Sequence, residues 1–162
     1  MLFKTHMVFS VAVWILLDYF LIMPVWVLGF ILLATAFVDI DIKNSKFGNR
    51  WYLRPLQWVT RHRGVFHSLF LGLLLSLILG GVNLWAGFGF FVGYVSHLFL
   101  DCLTYFGVAL FWPFSWRIKG FVKSGGVVED VVFVLLLLVD IFWVVFRIIM
   151  DYLSSMLHLI SL

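Results

Sequence analysis

The sequence predicts an all-α integral membrane protein: a bundle of about five transmembrane helices with its N-terminus in the cytoplasm. Three observations lead there. Of the 162 residues, 64% are hydrophobic and only 12% charged, and the mean hydropathy is +1.13, a balance that a soluble domain of this size does not carry. The apolar residues fall in runs that suit membrane helices, parted by polar connections, and not in the alternating short segments of a barrel. Ten of the eleven Lys and Arg residues lie before the first run, after the second or after the fourth. Cytoplasmic loops collect such charge, so the N-terminus and both basic loops are expected inside. Residues 1–162 read as one multi-pass domain of the cytoplasmic (inner) membrane, with no room for a separate soluble unit.

The first span is expected over residues 6–21 and the second over 24–38, both short enough to form a tight hairpin. The N-terminus has no small-residue cleavage site, so it reads as a span and not as a removed signal peptide. Asp18, late in span 1, reads as an interfacial carboxylate. Pro24 suits a first helical turn, and Asp39-Ile40-Asp41 closes span 2. Lys43, Lys46, Arg50, Arg54, Arg61 and Arg63 follow, interleaved with Trp51, Tyr52 and Trp58. Beside a membrane this is a headgroup-level segment, with aromatics at the interface and cations toward anionic lipid. No nucleic-acid-binding module accompanies the charge, so nucleic acid is not an expected partner. Span 3 is expected over 65–79, Gly80-Gly81-Val82-Asn83 as a turn, and span 4 over 84–110. Gly87, Gly89, Gly93 and Ser96 in span 4 would let helices approach closely. A second basic loop carries Arg117, Lys119 and Lys123. Span 5 is expected over 127–150, with Asp140 and Arg147 making a helix–helix polar contact, followed by an amphipathic tail over 151–162. Cys102, the one cysteine, excludes a disulfide framework and a cysteine-rich zinc site.

The chemistry gathers around His97 and Asp101. Four residues apart on a helix, they share a face, and an ionisable pair at membrane depth is costly unless it pairs or binds something. The predicted topology brings other groups to the same end. His6 opens span 1, Asp39 and Asp41 close span 2, His62 and His67 open span 3, and Glu129 and Asp130 open span 5. Histidine and carboxylate without cysteine are the ligands of zinc, manganese or non-haem iron, and suit a hydrolytic site with open positions. Two such ions would activate a water and stabilise a phosphoester displacement, and Arg61 and Arg63 could clamp the phosphate. Asp130 reads as a solvated partner of a nearby lysine.

Two strings carry a family resemblance. Residues 61–68 read as HRGxxHS, and residues 93–101 read as GxxSHLxLD, continued by a G-x-x-x-x-W-P-F-S element from Gly107 to Ser115. With His6 and the Asp39-x-Asp41 pair, the chain resembles the YdjM-type family of predicted inner-membrane metal-dependent hydrolases over nearly its whole length. One departure is Val38, where the family often has a proline. The resemblance implies a helical membrane protein with a metal centre, distantly similar to zinc-dependent phospholipase C and S1/P1-type nucleases, which use an HxxxD pair and a zinc cluster to cut phosphoesters. It implies His67, His97, Asp101 and an acid of the Asp39/Asp41 pair as core ligands, with His6 and Glu129 as outer candidates.

The expected function is therefore a metal-dependent hydrolase whose site opens at the cytoplasmic interface. The expected metal ligands are His6, Asp41, His62, His67, His97 and Asp101, holding one to three divalent ions, zinc first and manganese or iron next. Asp39, Asp41 or Glu129 would serve as general base, and Arg63 would bind the phosphate. The expected substrate is a phosphoester of a lipid or another amphiphile drawn from the surrounding membrane lipids, attacked by a metal-activated water. An oligomer is left open. The competing readings are a metal or proton transporter or sensor using the same residues as a relay, and a non-catalytic assembly protein whose polar residues are helix glue.

Overall fold

The computed structural model describes residues 1–41, 49–51, 54, 64–114 and 116–160, with the side chains of 41 and 158–160 left out. His62 and Arg63 lie outside the described residues. Among the described residues five α-helices make the fold: α1 (Phe3–Leu21), α2 (Trp26–Val38), α3 (Leu69–Val82), α4 (Leu84–Cys102) and α5 (Val127–Ile160). α1, α4 and the Val127–Leu157 part of α5 are long and apolar enough to cross a membrane. α2 and α3, with 13 and 14 residues, reach only about 20 Å at 1.5 Å per residue, short of the roughly 30 Å hydrocarbon core. A 3₁₀ turn continues α2 over Asp39–Asp41, and another precedes α3 over Val65–His67.

α4 is the centre. Of its apolar span 61% is buried, against 6% for α5, and α2 and α3 pack most closely against it. Small residues make this possible. A Cβ on Gly93 would lie 2.0 Å from the Ile31 carbonyl oxygen of α2, and one on Gly87 would lie 2.5 Å from Gly80 Cα of α3. Phe90, Tyr94 and Leu98 of α4 join Ala34 and Val38 of α2 in the core. α5 packs chiefly against α1 and runs parallel to it. Glu129 at its start meets Leu2 and Thr5, while Arg147 farther along meets Asp18.

The structure redraws three boundaries. Span 4 ends at Cys102, and the described residues of the following loop, 103–114 and 116–126, fold back outside any helix, with Val108 and Ile118 exchanging backbone hydrogen bonds at 3.0 Å. That loop is rich in Phe, Trp and Val, so hydropathy alone extends the helix through it. Gly80, Gly81 and Val82 stay helical, and only Asn83 separates α3 from α4. Its side chain caps α4 by accepting from Ala86 N. The expected tail is no separate segment, because α5 runs on through Asp151 to Ile160. The expected helix–helix polar contact is made by Arg147, which pairs with Asp18 of α1, while Asp140 Oδ1 has no hydrogen bond among the described residues. Asp130 meets Lys4 at 3.2 Å at the surface.

Candidate metal centre

α4 places His97 and Asp101 one turn apart near its end, and the neighbours complete the cluster. α1 supplies His6 from the end of its first turn. Because α2 and α3 stop short, their 3₁₀ turns deliver Asp39 and His67 to the same level instead of carrying them past it. Tyr94 of α4 donates its hydroxyl to the Phe66 carbonyl at 2.6 Å, which fixes the turn that carries His67.

The five polar heads are close and almost dry. His67 Nε2 lies 3.7 Å from Asp39 Oδ1 and 3.5 Å from Asp101 Oδ2. His97 Nε2 lies 3.5 Å from Asp39 Oδ1 and 3.9 Å from Asp101 Oδ2. His6 Nε2 is 3.5 Å from Asp101 Oδ1, and its ring stacks on that of His97 at 3.9 Å. The α-amino group of Met1 is 3.1 Å from the same Asp101 oxygen. The side chains of His6, His67, His97 and Asp101 are at most 4% exposed, whereas Asp39 keeps 13%. Access to the cluster therefore lies on the Asp39 side. Burial alone would push the Asp39 carboxyl up. The imidazoles of His67 and His97, at 3.7 and 3.5 Å from its Oδ1, outweigh it and hold the group well below the usual carboxylate range.

The donor set fits a divalent cation. His6, His97 and Asp101 form one group of ligand atoms within 4.8 Å of one another, Asp39, His67 and His97 form a second, and His97 belongs to both. The Nδ1 of His97 is engaged by the Thr35 carbonyl at 2.9 Å. A ring nitrogen so held as a donor leaves Nε2 as the basic one, the usual arrangement of a metal-bound imidazole. That Nε2 points between Asp39 and Asp101 yet makes no hydrogen bond among the described residues, and neither does His6 Nδ1. Three imidazoles and two carboxylates match the ligand chemistry of zinc, manganese or iron. A cation would also offset two carboxylates withdrawn from water.

The remaining candidates fall elsewhere. Asp41 ends its 3₁₀ turn two residues beyond Asp39, and its side chain is not described. Glu129 is fully buried and belongs to neither ligand group. Its Oε1 accepts from Leu2 N at 2.5 Å and Thr5 Oγ1 at 2.8 Å, and its Oε2 accepts from Gly125 N at 2.6 Å. It ties the start of α5 to the first turn of α1, just ahead of His6. Sequence reasoning missed Thr35 and Ser10. Their hydroxyls meet at 2.7 Å between α1 and α2, and Thr35 supplies the carbonyl that orients His97. A buried Thr-Ser pair carries no signal that separates it from ordinary small-residue packing.

The family model described as YdjM inner membrane protein matches residues 1–161. Two curated relatives, each called inner membrane protein YdjM, come from Escherichia coli (strain K12) and Shigella flexneri. Each is 36% identical to this chain over 97 residues, which is 54% of this chain and 50% of the relative. The match thus spans about half the length of these relatives. No solved structure matches.

Proposed function

We propose, from the premise that this chain belongs to the YdjM inner membrane protein family, that it is a membrane-embedded metal-dependent hydrolase acting on a phosphoester of a lipid or similar amphiphile. The observation that carries the reading is the convergence of three histidines and two aspartates into two overlapping ligand groups hinged on His97. A divalent cation bound there, zinc in the first instance, supplies Lewis acidity toward water and toward the phosphoester oxygens. The chain's own residues do the rest. His97, held by the Thr35 carbonyl, presents Nε2 to the centre. Asp101 stands between His6 and His67 and balances charge. Asp39, the ligand with residual exposure, stays ionised beside His67 and His97 and holds the cation on the side that water enters. Glu129 acts as a positioning residue by holding the turn that carries His6. Arg63 as phosphate clamp and Asp41 as proton acceptor complete the proposal from the sequence.

The test is metal content by mass spectrometry on detergent-purified protein, wild type beside His97→Ala, together with phosphate release from phospholipid mixed micelles. Near-stoichiometric metal and turnover, both lost in the variant, are expected. No metal in either protein after reconstitution rejects the reading, and so does turnover unaltered by His97→Ala.

A further inference from the structure

We infer that the loop after α4 is a docking surface for anionic phospholipid headgroups, seated at the bilayer interface beside the cluster; it needs neither a bound ion nor the hydrolase reading. From Cys102 to Val128 the chain carries Arg117, Lys119 and Lys123 and no acid. All three cations are exposed. Among the described residues the Lys and Arg ion pairs are Lys4 with Asp130 and Arg147 with Asp18, so none of the three is paired. The nearest acids that follow are already engaged. Glu129 accepts from Leu2, Thr5 and Gly125, and Asp130 meets Lys4.

The loop is built with two sides. Its inner side is pinned to the elements that carry the cluster. Thr104 Oγ1 donates to the Asp101 carbonyl at 2.7 Å, and Leu69 N, two residues beyond His67, donates to the Leu110 carbonyl at 2.8 Å. Thr104, Val108, Ala109 and Val122 are buried. Residues 117–123 then run along 103–108. The amides of Ile118, Gly120 and Val122 donate to the carbonyls of Val108, Thr104 and Leu103 at 3.0, 3.0 and 2.9 Å. A Cβ on Gly120 would lie 2.3 Å from the Leu103 carbonyl oxygen, so this approach requires glycine. Side chains of an extended segment alternate in direction. The residues that flank the pinned amides, Arg117, Lys119, Phe121 and Lys123, are all exposed.

The outer side is aromatic as well as cationic. Tyr105, Phe106, Phe114, Trp116 and Phe121 are each at least 64% exposed. On a helix such rings would suit hydrocarbon, but a lipid-exposed irregular backbone has no partners there for its free N–H and C=O groups. The level that accepts both is the interface, where aromatic rings lie among headgroups and Lys and Arg meet phosphate. Three cations without an opposing acid select anionic headgroups over zwitterionic ones. The loop starts two residues after Asp101, so headgroups held on it gather at the end of the bundle that carries the cluster.

The experiment is native mass spectrometry of the full-length protein released from mixed micelles of equimolar phosphatidylglycerol and phosphatidylcholine. Retention of several-fold more phosphatidylglycerol than phosphatidylcholine is expected. The triple variant Arg117→Gln/Lys119→Gln/Lys123→Gln should cut that preference several-fold with metal content unchanged, whereas Arg117→Lys should keep it. Lys119→Gln alone, with a smaller fall, serves if the triple variant does not fold. No preference in the wild type overturns the inference, as does an equal preference in a folded, charge-neutralised variant. Soluble glycerol phosphate at the lipid's concentration should leave the lipid in place. Displacement by it would make the occupant a free anion and overturn the docking surface. Phosphate release is read on the same samples, and lipid preference without release supports the surface while counting against the hydrolase.

Discussion

The two ends of this bundle both bury charge, and they solve the problem differently. At one end Asp18 is satisfied locally. Arg147 pairs with it, and its Oδ1 accepts from Met23 N at 2.9 Å. One acid meets one cation and one amide, and the contact joins α1 to α5. At the other end three histidines and two aspartates crowd together, and His97 Nε2, buried between two carboxylates, makes no hydrogen bond among the described residues. The first arrangement is complete within the chain. The second is completed by a bound ion in our proposal. Polarity inside a membrane protein therefore does not mark a site by itself; ligand atoms of several elements converging on one point do.

Substituting at both ends breaks or sharpens this contrast. Asp101→Asn should lower metal affinity by about 100-fold or more, beyond the 10–100-fold typical of outer-shell changes, with little loss of thermal stability in the metal-free protein. Titration with zinc followed by calorimetry reads both, and wild-type affinity in the variant would remove Asp101 from the centre. Gly93→Ala comes next. Its methyl would be forced against the Ile31 carbonyl, and overpacking of this kind costs about 1–3 kcal/mol, seen as a lower midpoint of unfolding in detergent. Tyr94→Phe removes the hydroxyl that holds the Phe66 carbonyl. It should weaken metal binding about tenfold through the displaced His67 turn while the helices stay intact by circular dichroism; unchanged affinity would show that the turn holds without it. Arg147→Met is the smallest. Its guanidinium is half exposed although Asp18 is buried, so the pair is worth about 1 kcal/mol, lost from stability only. A fall in bound metal would show that the two ends are coupled after all.

The sequence made the His97–Asp101 pair legible because i, i+4 spacing is blind to tertiary detail. Charge in the loops then brought His6, His67 and Asp39 to the same end without any contact information. Depth was harder to read. Span 2 already reads as short in the sequence; only the structure shows that this shortness, shared by α3, is what sets Asp39 and His67 level with His97. The end of α4 was hidden because the loop over residues 103–126 is as apolar as a helix, even though Thr104 and Gly107 are turn residues. Glu129 looked like a further acid of the centre from its place in the chain. Nothing in its identity announced that two backbone amides and the Thr5 hydroxyl would take up its oxygens. Asp140 and Arg147 share a helix face, but that spacing could not say that Arg147 would reach across to Asp18.

The order of the ligands along the chain has a consequence in time. His6, Asp39, His67, His97 and Asp101 all precede α5, which contributes none of them. Polypeptides leave the ribosome N-terminus first, and their parts fold in that order. The five residues of the cluster are therefore made before residues 127–160. Glu129 then arrives as the latch, tying the last helix to the first turn of α1 beside a cluster whose final member, Asp101, precedes it in the chain.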